Sequence, residues 1–120
     1  MKRVLIAAGG TGGHIYPALV VADLLRSQGV NIIWLGTEGR MESRIIPGRY
    51  PIFYIATKGL RGKGLLSKAL AIWQLLTSIF QTLRIVRQQK VDAIVGMGGF
   101  VSGPAGVVAK VLRIPLIIHE

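Results

Sequence analysis

Val4-Leu5-Ile6-Ala7-Ala8-Gly9-Gly10-Thr11-Gly12-Gly13-His14 opens the chain with five apolar residues that run straight into two glycine pairs around a threonine. The apolar run is short and uninterrupted, as in a strand buried on both faces. The glycines let the backbone turn tightly and approach a ligand closely. Pro17 suits the first turn of a helix, so the stretch reads as strand, glycine loop, helix. The pattern recurs later. Ala93-Ile94-Val95 leads into Gly96-Met97-Gly98-Gly99-Phe100-Val101-Ser102-Gly103-Pro104, with Ser102 as the expected cap of a helix reaching Leu112. A helix start beyond such a loop offers free N–H groups and the positive end of a dipole. Two such loops in one small domain point to a ligand with a diphosphate or several anionic groups.

The stretches between give the rest of the fold. A helix is expected over Ala18–Gln28, ended by Gly29, with Leu19, Ala22 and Leu25 on one face. Strands follow at Val30–Leu35 and Ile52–Ala56, and Arg40–Ile46 reads as a short helix stopped by Pro47-Gly48. Lys58–Gly64 reads as a basic loop and Leu65–Gln89 as the longest helix. Val91–Val95 and Ile114–Ile118 complete five strands. Strands alternating with helices imply right-handed crossovers and a doubly wound parallel α/β sheet of Rossmann-like type. The expected order is 3-2-1-4-5, which sets both glycine loops at the switch point where such sheets bind ligands.

Neither loop carries a common nucleotide signature. The first lacks the Gly-Lys-Ser/Thr of a P-loop, and a dinucleotide fingerprint begun at Gly10 ends on Ile15. His14 has two readings. It is a hydrogen-bonding residue at the helix start, or a neutral imidazole, kept so by the helix dipole, acting as a general base.

Fifteen basic residues against five acids give a formal net charge of +10. That balance favours anionic partners. Nucleic acid is not expected, because dense basic runs and interleaved aromatics are missing. With no cysteine, and with histidines and acids scattered, neither a disulfide framework nor a metal site is expected. No cofactor is expected. Met1-Lys2-Arg3 leads into a strand rather than a signal peptide, which implies a cytosolic location.

The Leu65–Leu83 stretch carries one charge, Lys68. Its apolar residues, with Trp73, Leu76, Ile79 and Phe80 the main candidates, form a stripe wider than a sheet can cover. Lys68 and Arg84 are among the basic residues that border it. Lys68, Gln74, Thr77, Ser78 and Gln81 interrupt the run, so docking at an anionic membrane surface is expected rather than spanning.

The two loops, Gly36-Thr37 with Met41-Glu42, Gly59-Leu60-Arg61-Gly62-Lys63-Gly64 and the terminal Ile118-His119-Glu120 together resemble the MurG family of bacterial glycosyltransferases. The resemblance covers essentially the whole chain. It implies the N-terminal half of a two-domain GT-B enzyme, residues 1–120, which binds acceptor and membrane, with a C-terminal donor-binding domain beyond it. The implied reaction moves N-acetylglucosamine (GlcNAc) from UDP-GlcNAc to the C4 hydroxyl of N-acetylmuramic acid (MurNAc) with inversion. The acceptor is lipid I, undecaprenyl-pyrophosphoryl-MurNAc-pentapeptide, and the product is lipid II of peptidoglycan synthesis. The implied place is the cytoplasmic face of the plasma membrane, held peripherally, and this stretch alone is expected to be inactive.

By the same resemblance, Thr11, Gly12 and Gly13 line the donor side of the cleft. Gly10, Gly12, Gly13, His14, Gly98, Gly99, Phe100 and Ser102 hold the acceptor diphosphate, and His14 is the candidate base. The broad helix matches the membrane-facing region. His119-Glu120 would begin a motif whose later asparagine meets the donor sugar. A stand-alone acceptor and membrane subunit of a two-chain transferase, or a non-catalytic phosphate-binding module, are the alternatives.

Overall fold

A computed structural model of the chain describes residues 2–9, 12–37, 46–55, 65–98 and 101–118. In chain order the elements are β1 (Arg3–Ala7), α1 (Gly12–Ser27), β2 (Asn31–Gly36), β3 (Ile52–Tyr54), α2 (Leu65–Gln88), β4 (Ala93–Gly96), α3 (Ser102–Leu112) and β5 (Leu116–Ile118). The five strands form one parallel sheet in the order β3-β2-β1-β4-β5, as the alternation of elements predicts. The expected helix over Arg40–Ile46 lies outside the described residues except for Ile46. That residue is fully buried and starts a turn, its carbonyl accepting from the N–H groups of Arg49 and Tyr50. The basic loop 58–64 also lies outside them.

Alternation along the strands builds two cores. Val4, Ile6, Ile32, Trp34 and Val95 face α1, where they meet Ile15, Ala18, Leu19 and Ala22. Leu5, Ala7, Ile33, Leu35 and Ile94 face the other side and meet Val86 of α2 and Ala105, Val108 and Ala109 of α3. Both faces of the central strands are therefore apolar, which is why these strands read as continuous hydrophobic runs. Each large side chain buried this way contributes about 1.5–3 kcal/mol.

Two expectations about helix ends are corrected. Helix α1 begins at Gly12, not near Pro17, so the second glycine pair and His14 form its first turn and Pro17 lies inside it. Pro17 is the sixth residue of the helix, past its unpaired first turn, so it forgoes one intrahelical bond, the one four residues back. The second correction concerns Ser102. Val101 holds the N-cap position of α3, and its side chain makes no capping bond.

Helices α2 and α3 both end on non-glycine residues in the left-handed region. Lys90 has φ 53°, and Arg113 has φ 57° with its N–H directed at the Lys110 carbonyl. Gly29, with φ 86°, is the glycine stop expected after α1.

Candidate functional site: the switch point and an overhanging helix

Strands β1 and β4 are neighbours, Ala7 pairing with Gly96 at their carboxyl ends. From these ends the chain turns into α1 on one face of the sheet and α3 on the other. The result is a crevice with two helix starts beside it. Neither helix carries an acidic residue in its first turn. The free N–H groups and positive dipole ends are thus left to an external anion.

The second loop is held to the first strand by one hydroxyl. Ser102 Oγ accepts from the Gly98 N–H at 2.9 Å. It lies 3.1 Å from the Ala7 carbonyl oxygen and 3.0 Å from that of Gly98, so its single proton serves one of the two at a time. The Met97 N–H also donates to the Ala7 carbonyl, at 2.9 Å. Gly98 has φ 100°, a conformation that a side chain would strain. Ser102 therefore positions the turn at Gly98 instead of capping α3. A β-carbon at Gly96 would stand 3.6 Å from that hydroxyl, in ordinary contact.

On the first loop, Trp34 gives the matching tie. Its indole N–H donates to the Ala8 carbonyl at 3.0 Å from a fully buried ring. Sequence reasoning missed this residue. The one available signal is a tryptophan in the middle of an aliphatic strand, since a buried indole needs an acceptor.

Of the residues expected to bind ligand, Gly12, Gly13 and His14 form the first turn of α1, beside the crevice. Gly98 and Ser102 sit across it on the β4 side. Gly10, Thr11, Gly99 and Phe100 lie outside the described residues.

Helix α2 packs beside α3 on the same face of the sheet. It connects two parallel strands, so its amino end lies toward the carboxyl ends of the strands. At 24 residues it is about 36 Å long, against roughly 13–20 Å for the central strands. Burial tracks this mismatch. Ser78, Thr82 and Val86, at i, i+4 and i+8, are buried against the fold, whereas 68–73, 75 and 76 are all exposed.

The exposed part carries Ile72, Trp73, Leu76 and Phe80, of which Trp73 is 70% and Phe80 65% exposed. Lys68 and Arg84 are exposed beside them. Ile79 is corrected: it is half-buried and packs with Leu83 on the sheet core, because it sits next to Ser78 on the inward side. The inward hydroxyls are satisfied within the helix, Ser78 Oγ donating to the Gln74 carbonyl and Thr82 Oγ1 to the Ser78 carbonyl.

The helix thus buries small hydroxyl residues and presents large apolar ones. From Lys68 to Gln88 it is long and apolar enough to cross a membrane by length and composition. Its carboxyl half belongs to the core, however, which leaves the overhang free for an interface.

The glycosyltransferase family 28 N-terminal domain model matches residues 4–120. A relative from Methylococcus capsulatus, a UDP-N-acetylglucosamine–N-acetylmuramyl-(pentapeptide) pyrophosphoryl-undecaprenol N-acetylglucosamine transferase, is 53% identical over 99% of this chain and 34% of its own length. A Coxiella burnetii protein of the same name is 51% identical over all of this chain and 34% of its own. The crystal structure of Acinetobacter baumannii MurG superposes with a TM-score of 0.88 and 44% identity, over all of this chain and 35% of that one. The chain therefore spans about a third of the length of the curated relatives it matches.

Proposed function

Since this chain belongs to glycosyltransferase family 28 as an N-terminal domain, we propose that it forms the acceptor-binding part of a transferase that moves GlcNAc from UDP-GlcNAc to lipid I. The observation that carries this reading is the 53% identity to the Methylococcus transferase along 99% of the chain. The crevice supports it chemically. Two helix starts on adjacent strands suit the diphosphate of a lipid-linked sugar.

In the proposed reaction His14 takes the proton from the C4 hydroxyl of MurNAc. The oxygen then bonds to the anomeric carbon of GlcNAc as the bond from that carbon to UDP breaks. UDP leaves with the electron pair, and the configuration inverts. Thr11, Gly12 and Gly13 face the donor. Gly10, Gly98, Gly99, Phe100 and Ser102 join Gly12, Gly13 and His14 around the acceptor diphosphate. The donor nucleotide is held chiefly by a C-terminal domain, which fits relatives about three times as long.

The acceptor stays in the bilayer, so the enzyme must come to it. The overhang of α2 serves this purpose, with Trp73, Leu76 and Phe80 entering an anionic surface and Lys68 and Arg84 meeting its headgroups. Because the overhang points toward the crevice end of the sheet, docking brings the crevice to the membrane. The protein is then peripheral on the cytoplasmic face of the bacterial plasma membrane.

A transferase assay on the full-length protein, with a lipid I analogue and UDP-GlcNAc, tests the reading. GlcNAc appears on C4 with inverted configuration. His14→Ala lowers kcat by about 10²–10⁴-fold while the fold is kept. Absence of transfer by the wild type overturns the proposal, and near-normal turnover by the variant removes His14 as the base.

A further inference from the structure

At the opposite end of the sheet, about 16 Å from the crevice along β1, arginines from three distant segments converge. Arg3 begins β1, Arg26 lies in the last turn of α1, and Arg49 stands in the turn before β3. They line an open cleft of about 490 Å³ together with Asn31, Tyr50 and Gln89. A second cleft of about 570 Å³ shares Arg26 and Arg49, so the two form one groove.

Among the described residues, the contacts of these arginines leave guanidinium donors over. Arg3 gives one Nη1 donor to the Gln89 carbonyl at 2.7 Å, out of five. The Arg26 guanidinium stacks 5.7 Å from the centre of the Tyr50 ring. Arg49 reaches Asp23 at 3.7 Å in a half-exposed pair, a contact of small worth. Asp23 is itself engaged by the Tyr50 hydroxyl. Asp92 accepts from the Arg3 backbone N–H at 2.8 Å. Among the described residues, three full positive charges face the shared Asp23 carboxylate, Asp92 at the Arg3 backbone and the carboxyl end of α1, which is worth about half a negative charge.

We propose that this groove is a second anion site, distinct from the crevice, that binds a phosphoryl group. Arginine forks match phosphate oxygens in pairs, and the amides of Asn31 and Gln89 extend the polar lining. The flanking Tyr50 ring offers a flat surface to whatever carries the phosphate. That carrier is either a soluble phosphate ester or a phospholipid headgroup.

The test is a titration of inorganic pyrophosphate into the isotope-labelled full-length protein, followed by NMR. Signals of Arg26, Asn31 and Arg49 should shift and saturate independently of those of Gly98. Arg49→Gln, which leaves the Tyr50 contacts in place, should weaken this set about tenfold, and Arg49→Lys less. Arg26→Gln should act in the same direction.

The source is then resolved with phosphatidylglycerol vesicles. With the overhang disabled by Trp73→Ser and Phe80→Ser, residual vesicle binding lost in parallel with pyrophosphate identifies a headgroup, and residual binding unchanged by the arginine substitutions, or none at all, identifies a soluble ester. Shifts confined to the crevice, or groove shifts indifferent to both arginine substitutions, overturn the proposal.

Discussion

Ser102 does its work across the sheet rather than along its own helix. Its hydroxyl joins the Gly98 turn to the end of β1, 95 residues earlier in sequence. Ser102→Ala should cost about 1 kcal/mol in denaturant melts, as the Gly98 N–H loses its partner. It should also raise the KM for acceptor more than that for donor, because the turn proposed to meet the acceptor diphosphate loosens. A serine two residues before a proline reads as a helix cap, and nothing local reveals that a distant carbonyl comes within reach. Tyr50 makes a second residue-scale case. Burial first, then the Asp23 carboxylate, pushes its phenol above the ordinary value of 10.0, with Arg26 pulling the other way. Above pH 10 the unfolded chain releases a proton that the folded chain keeps, so stability falls as pH rises through that window. Melting temperatures measured from pH 9 to pH 11 should show this fall. Tyr50→Phe should flatten it while lowering stability at neutral pH through the lost Asp23 bond.

Among the elements, α2 separates what pattern reveals from what packing decides. Its length and apolar character are legible, because few charges interrupt it. Its inward face is not, because apolar residues occur all round and the buried line runs through Ser78 and Thr82. Hydroxyls bonded to their own helix carbonyls cost little to bury, and their small size lets the helix sit close. Paired substitutions should expose this division of labour. Trp73→Ser with Phe80→Ser should change folding stability by no more than about 0.5 kcal/mol, yet weaken binding to anionic vesicles at least tenfold. Val86→Ala should cost about 1–3 kcal/mol and leave vesicle binding alone. The start of α1 was legible only to within a few residues. Glycines favour a loop and Pro17 marks a first turn, but the fold begins the helix five residues earlier, at Gly12.

For the molecule as a whole, order was the most legible property. Short strands alternating with helices leave few topologies, and the right-handed crossover rule selects among them. Charge placement was not legible, since Arg3, Arg26 and Arg49 meet only once β1, α1 and the turn before β3 have come together. Nor was the division between the two tryptophans of the chain. Trp34 is fully buried, stacked at 6.3 Å on Tyr50 and bonded to Ala8, whereas Trp73 stands in solvent on the overhang. The chain therefore carries two fluorophores with opposite surroundings. Trp34 should emit at short wavelength and resist acrylamide, and Trp73 should emit at long wavelength and be quenched readily. With Trp73→Phe and Trp34→Phe to assign them, anionic vesicles should shift only the Trp73 emission to the blue. Loss of the first glycine loop's anchorage should redden only Trp34, so one cuvette reads docking and site integrity as separate colours.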